Sequence, residues 1–274
     1  MANLLIVLTA LALVASCAAH SNLITGEKGS AEGGYTFANK TELDFGVNLW
    51  MTDEQAAEKK YGNITDWDVS EVPDLSNLFN GGDGNLFKAF NADISRWNTS
   101  HATNMGHMFQ SASNFNADIS KWITSMVTAM DGMFNHATKF NSDISKWITS
   151  EVTTMHEVFW TTRNFNADIS AWNTSKVTDM YAMFNYATSF NSDISTWITS
   201  KVTDMTFMFC EATNFNSNIS AWITSNVTNM WGMFYGATNF NQSGVCKWNH
   251  SKVTNSHVMF DGAGMAKCSW CQGR

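Results

Sequence analysis

The sequence predicts an α/β repeat solenoid, and three observations lead to this fold class. Tryptophans recur every 25 residues, the residues around each tryptophan repeat with them, and apolar side chains in one half of each repeat recur every three to four residues. Units of roughly 20–50 residues bury their apolar faces by stacking on their neighbours. The evenly spaced members are Trp97, Trp122, Trp147, Trp172, Trp197 and Trp222, with Trp67 before them and Trp248 after them.

Each coil of about 25 residues is expected to contain one short helix or 3₁₀ turn and one short strand. After Trp147, apolar side chains at helical spacing occupy Val152, Met155, Val158 and Phe159. Pro73 takes the matching place in the first unit, where the opening turn of a helix tolerates proline. The segment "NSDISKW", 141–147, is expected to form the strand and to stack with its copies in a parallel sheet.

The ends of the chain differ from the repeat. Residues 1–19 are interpreted as a signal peptide, 20–40 as a flexible lead-in and 41–66 as a helical N-terminal cap. In that cap, Thr52–Gln55 has the pattern of a capping box, and the helix it opens is expected to end near Gly62. The repeat solenoid is expected over 67–248, followed by a cysteine-containing C-terminal cap over 249–274.

The first residues favour secretion. The apolar run Leu4–Ala15 is too short to span a bilayer and suits a signal peptide, with cleavage near Ala18 or Ala19. The alternative is a bacterial lipoprotein signal, since "VASC" ends at Cys17 and would place a lipid there. The basic start expected of both signals is missing. The sequence therefore predicts a secreted or cell-surface protein, with a lipid anchor at Cys17 as the alternative.

Four cysteines remain after such a cleavage, and a secreted chain is expected to pair them. One or two disulfides near the C-terminus are the default, although four cysteines allow three full pairings. The pair "CSWC" also admits half a zinc site or a redox pair. The candidates are Cys210, Cys246, Cys268 and Cys271.

Composition argues against several function classes. The net charge is −8, so a nucleic-acid partner, which calls for a basic face, is not expected. "HEVFW" at His156 begins like a zinc-protease motif but lacks the second histidine. The chain has no nucleophile elbow, phosphate loop or dinucleotide fingerprint. The sequence therefore predicts a protein that is not an enzyme, with no cofactor, no metal and no transmembrane span.

The repeated motif carries a family resemblance. "FNxDISxWxTSxVTxMxxMFxxAxxFN" resembles the repeat of BspA-like leucine-rich-repeat surface proteins, and the resemblance covers Leu43 to Gly262. It implies a leucine-rich-repeat-like solenoid that is secreted or displayed on a surface. It further implies adhesion or protein binding, without catalytic residues.

Three fixed columns have competing interpretations. The tryptophans are expected to form a core stack rather than a stripe for sugar rings. The aspartates at Asp93, Asp118, Asp143, Asp168 and Asp193 are expected to accept backbone amides at turns, with a row of Ca²⁺ ions as the alternative. The threonines two and six residues after each tryptophan are expected to bond along the coil rather than to bind ice.

The positions that vary between repeats are the candidate binding face. They lie nine, ten, thirteen and fourteen residues after each tryptophan, and they are rich in aromatic residues suited to protein or glycan contact. The candidates are His107, His136, His156, Glu157, Trp160, Tyr181, Tyr186, Phe207, Trp231 and Tyr235. We expect a recognition or adhesion module for an extracellular protein or glycan. The alternative is a surface-layer component that associates with copies of itself.

Overall fold

The computed structural model describes residues 34–82, 86–265 and 268–271. Two α-helices come first, α1 (Lys40–Thr52) and α2 (Glu54–Tyr61). Short 3₁₀ turns follow at Ile64–Asp66, Leu86–Ala89, Ser243–Lys247 and Ser269–Cys271. The predicted signal peptide, Cys17 and most of the predicted lead-in lie outside the described residues. No helix in the part of the chain that is described has the length and apolar character needed to cross a membrane.

The two helices cover the start of the repeat array. The Asp53 side chain accepts a hydrogen bond from the Ala56 amide at 3.0 Å, and Gly62, whose φ is 75°, caps the C-terminus of α2. Phe37 is fully buried beneath α1, where a Cβ on Gly46 would lie 2.8 Å from its ring. Glycine at position 46 therefore lets the helix sit directly on this phenylalanine.

The predicted α/β repeat solenoid, with its leucine-rich-repeat-like strand and helix in each coil, is wrong. The described residues contain no sheet, and within 67–248 they contain no α-helix, only 3₁₀ turns at Leu86–Ala89 and Ser243–Lys247 that do not recur in each unit. Adjacent units share only one isolated parallel bridge each, seven residues after the tryptophan (position +7), as between Thr154 and Asp179. That position lies in the half predicted to be helical, whereas "NSDISKW" contains no strand.

Left-handed residues explain why this half is neither helix nor strand. At positions +10 and +14, non-glycine residues have φ between 49° and 61°. Each such residue reverses the local turn of the backbone, which neither regular element tolerates. Alternate amides nevertheless bond to the next unit, as His107 N–H does to the Asp131 carbonyl at 2.7 Å and Phe109 N–H to the Met133 carbonyl at 2.9 Å.

Side chains supply many of the bonds that a sheet would have made between units. Thr124 Oγ1 donates to the Ile148 carbonyl at 3.0 Å and accepts from the Ile148 amide at 2.8 Å. Asn116 Oδ1 accepts from the Asn141 amide at 2.7 Å. Equivalent bonds recur in later units. The repeat thus specifies its stacking through threonine and asparagine at fixed positions.

Aromatic columns form the core, which confirms the prediction for the tryptophans. The repeat tryptophans from Trp97 onward are only 3–4% exposed, and neighbouring rings stack at 6.3–6.5 Å. Their indole nitrogens bond to the preceding unit, as Trp147 Nε1 does to the Ile119 carbonyl at 3.2 Å. Rings this deeply buried are not available to sugars.

The aspartate column accepts backbone amides, as predicted. We call Asp93, Asp118, Asp143, Asp168 and Asp193 the aspartate ladder. Each Oδ1 accepts from the amide of the serine two residues later at 2.9 Å. Hydrogen bonds from these serines hold the pKa of each carboxyl below its usual value. These hydrogen bonds stabilise the ionised carboxylates and so offset the repulsion between like charges in neighbouring units.

The stack continues beyond Trp248 and carries one disulfide. Phe260 stacks on Phe234 at 5.4 Å, in the segment predicted to be a separate cap. Cys246 and Cys268 are bonded, whereas Cys210 is a buried free thiol whose pKa burial raises to about 12. The Cys271 side chain lies outside the described part of the chain.

Candidate functional site

The candidate binding residues share four positions of the repeat unit. In each complete unit the side chains at +8, +11, +12 and +15 are buried, and the candidates lie at the intervening positions +9, +10, +13 and +14, which we call the variable face. Smaller residues at these positions, such as Ala182, Thr206 and Cys210, are buried. None of the ten predicted residues is buried. His136, Tyr186, Trp231 and Tyr235 are exposed, and the other six are half-buried.

Four of these residues form a continuous row across four consecutive units. The His156 and Tyr181 rings stack at 4.6 Å, Tyr181 meets Phe207 edge-on at 6.4 Å, and Phe207 lies 4.8 Å from Trp231. We call these four residues the aromatic strip. Trp231, at its end, is 40% exposed. The other three rings are half-buried, and His156 and Tyr181 cover one face of each other, so Trp231 is the most exposed ring of the strip.

Glycines in the following unit leave room for two of these side chains to lie against the backbone. A Cβ on Gly232 would lie 2.5 Å from the Phe207 ring, and a Cβ on Gly132 would lie 2.4 Å from the His107 ring. The large side chain at +10 therefore folds over the glycine that occupies the same position one unit later. Sequence reasoning missed this pairing, although a large residue followed 25 positions later by glycine was its visible signal.

His156 sits between two carboxylates. Its Nε2 is 3.2 Å from Glu157 Oε1, and its Nδ1 is 3.4 Å from Asp179 Oδ2. The hydrogen bond to Asp179 is the largest cause that raises the pKa of His156 above its usual value. Asn135 Nδ2 donates to the other Glu157 oxygen at 3.0 Å. These contacts fix His156 at the start of the strip.

The remaining candidates form smaller groups. His136 contacts the Trp160 ring at 5.6 Å, and burial lowers the pKa of this histidine. Tyr235 borders a shallow depression of about 380 Å³ together with Glu211 and Asp261. His107 lies two units before the strip. The structure therefore brings together His156, Glu157, Tyr181, Phe207 and Trp231, and it spreads the other five over the same face.

The Asp, Glu, Lys and Arg residues at positions +7 to +14 are all acidic, which sequence reasoning also missed. No lysine or arginine occupies positions +7 to +14 of any unit, although the same stretch carries several carboxylates. Those that interact with the strip are Asp131, Glu157, Asp179 and Asp204. Among the residues that the structure describes, no set of three or more His, Cys, Asp or Glu side chains is placed to hold a metal ion.

Comparison with known proteins identifies a repeat family. A family model described as "Mycoplasma protein of unknown function, DUF285" matches residues 47–172 and again residues 155–270. The two matches together span most of the chain, and they overlap within the repeat array. No curated protein and no solved structure matches the chain.

Proposed function

The chain belongs to the DUF285 family of repeat proteins of unknown function, and we propose that it is a non-catalytic recognition or adhesion module. It binds an extracellular protein or glycan through the variable face. The observation that carries this proposal is the aromatic strip, which four consecutive units build from residues that the repeat does not fix. Aromatic side chains are enriched where proteins bind partners.

Two further observations support an extracellular place of action. The Cys246–Cys268 disulfide suits an oxidising compartment. The repeat motif also resembles that of BspA-like surface proteins, in which adhesion is the described role. We include secretion or surface display in the proposal, with a lipid at Cys17 as its anchored form.

A binding screen tests the proposal. The full chain is tested against immobilised matrix proteins, peptides and glycans, beside a Trp231→Ala variant. We expect at least one ligand to bind the unmodified chain and to lose affinity tenfold or more with the variant. A screen in which every ligand binds both proteins equally, or binds neither, contradicts the proposal.

Self-association remains a second candidate, favoured by a different surface. Isoleucines at position +1 are about half exposed in four units, at Ile123, Ile148, Ile198 and Ile223. Molar mass measured over a concentration series tests this candidate. If the protein assembles through this column, the double variant Ile148→Asn with Ile198→Asn should shift it toward monomer. Asparagine is the chosen replacement because Asn173 occupies the same position in its own unit. A mass that stays monomeric at every concentration excludes this alternative.

A further inference from the structure

The charges beside the aromatic strip define the chemistry of its ligand. We propose that the strip binds an extended cationic peptide segment, in which arginine or lysine side chains lie over the rings and against the flanking carboxylates. This inference rests on the proposed recognition function and makes the partner class specific. It excludes anionic ligands, and it assigns neutral glycans at most a secondary role.

The geometry places rings and carboxylates within reach of the same ligand group. Tyr181 is the second ring of the strip. Its amide donates to Asp179 Oδ1 at 2.8 Å, and the His156 ring stacked on it lies 3.2 Å from Glu157 Oε1. Burial, followed by the charges of Glu157, Asp204 and Asp179, raises the pKa of the Tyr181 hydroxyl. A cation over an aromatic ring gains about 0.5–2 kcal/mol, and charge-assisted hydrogen bonds to a carboxylate are the stronger kind.

The charge pattern keeps lysine and arginine out of this stretch of the repeat unit. In the repeat units, lysine and arginine do occur, but at positions such as +4, where Lys176 pairs with Glu151 at 2.6 Å. At positions +7 to +14 the basic side chain beside these carboxylates is a histidine, His156, which contacts Glu157 and Asp179 at 3.2 and 3.4 Å. A surface with one sign of charge attracts ligands of the opposite sign and speeds their association.

The length of the strip suits a short stretch of extended chain. Its three ring-to-ring steps are 4.6, 6.4 and 4.8 Å. An extended peptide rises about 3.3 Å per residue, so roughly five residues would cover the strip. Alternate side chains of such a peptide face the same way, which favours a segment with a cation at every second position.

Neutralisation of the carboxylates is the direct test. The probe is a fluorescein-labelled ten-residue peptide of alternating arginine and alanine, with the matching glutamine–alanine peptide as the uncharged comparison. The variant Glu157→Gln with Asp179→Asn and Asp204→Asn keeps the shape of each side chain. Asn229 and Asn255 occupy the same column as the two aspartates, and their side chains make the same bond to the amide two residues later.

The matched control neutralises three carboxylates elsewhere. It combines Glu151→Gln, Asp118→Asn and Asp143→Asn, so that the net charge changes equally while the variable face is untouched. By fluorescence anisotropy in physiological salt, we expect the arginine peptide to bind the unmodified chain and the control with similar affinity. Binding to the face variant should weaken at least tenfold, and Trp231→Ala should weaken it as well.

The outcomes separate this inference from the proposed function. Failure of the arginine peptide to bind, or equal binding to the face variant and the control, overturns the cationic assignment. If a ligand from the binding screen depends on Trp231 yet binds the face variant normally, the assignment fails while the recognition function stands. If no ligand depends on Trp231, both fail.

Discussion

Thr124→Val tests how much side-chain hydrogen bonds add to the backbone hydrogen bonds that link adjacent units. Thr124 is 2% exposed, and its hydroxyl both donates to the Ile148 carbonyl and accepts from the Ile148 amide. Valine has nearly the same shape but can make neither bond. Each hydrogen bond contributes about 1 kcal/mol net, so we expect a loss of about 2 kcal/mol in the free energy of unfolding. For a domain of this size, that loss lowers Tm by roughly 4–8 °C.

The assay compares matched threonines in the same unit. Thr128 lies on the exposed threonine column and makes one bond, from its Oγ1 to the Thr103 carbonyl at 3.2 Å. Thr128→Val should cost about 0.5–1 kcal/mol, and Thr124→Ser should retain most of the stability. Urea denaturation followed by tryptophan fluorescence gives all three values. The reasoning is refuted if Thr124→Val costs no more than Thr128→Val.

Three further changes probe the backbone, the aspartate ladder and the disulfide. Ala182 has a left-handed φ of 50°, which glycine adopts more easily than alanine. Ala182→Gly should therefore leave the free energy of unfolding unchanged or raise it by up to about 1 kcal/mol in thermal unfolding. Ala187→Gly, at a position without a left-handed φ, should lower it by about 1 kcal/mol. The ladder carboxyls have a folded pKa below the unfolded value of 3.8, so their stabilisation is present above that pH and is lost as pH falls through the folded pKa. Replacement of its middle three members by asparagine should flatten that loss in urea midpoints measured against pH. Replacement of Cys246 and Cys268 by serine should cost roughly 3 kcal/mol in urea denaturation, for a loop with a sequence separation of 22.

Each of these changes has an outcome that contradicts it. If Ala182→Gly and Ala187→Gly lower the free energy of unfolding equally, the left-handed backbone would impose no cost on alanine at position 182. An unchanged acid transition in the asparagine variant would remove the ladder as its cause; Asn218 already accepts the Ser220 amide at 3.1 Å, so the substitution should preserve the bond. A serine variant as stable as the unmodified chain would show that the disulfide does not stabilise the last unit.

The sequence predicted what the repeat buries, but not the backbone that carries it. The fixed period identified the tryptophan core, and the Asp143–Ser145 pair was recognisable as a turn. Val152, Met155 and Phe159 are buried in the core at the spacing that a helix would give. Glu157, however, lies between Met155 and Phe159 and has a left-handed φ of 58°, so the backbone there is not helical. Left-handed residues other than glycine leave little trace in composition, so the pattern was interpreted as a helix.

Pro73 illustrates how a correct observation led to a wrong interpretation. Its place was explained by the first turn of a helix, which does not exist. In later units the residue at this position, such as Thr128, donates its amide to the preceding unit's Thr103 carbonyl at 2.9 Å. Pro73 belongs to the first unit, where no earlier repeat unit offers that carbonyl, so the absence of an amide there costs little.

The variable face was predicted as a set of positions, and its grouping could be seen only in three dimensions. The spacing of 25 placed Tyr181 and Trp231 in one column. It did not reveal that the Phe207 ring, from the adjacent position, lies over Gly232 and joins the row. Nor did it connect Asp179 and Asp204, which belong to the bridged column, with the aromatic residues beside them.

The central claim is that variable positions bind a partner while fixed positions hold the stack. It is tested most directly by comparing two triple alanine variants in the same binding screen. One removes rings of the strip, at Tyr181, Phe207 and Trp231, and the other removes exposed apolar side chains of another column, at Ile148, Ile198 and Ile223. We predict that the first variant unfolds at nearly the same urea concentration as the second and loses ligand binding, while the second retains it. Loss of binding in the second variant alone, or in neither, would contradict the claim.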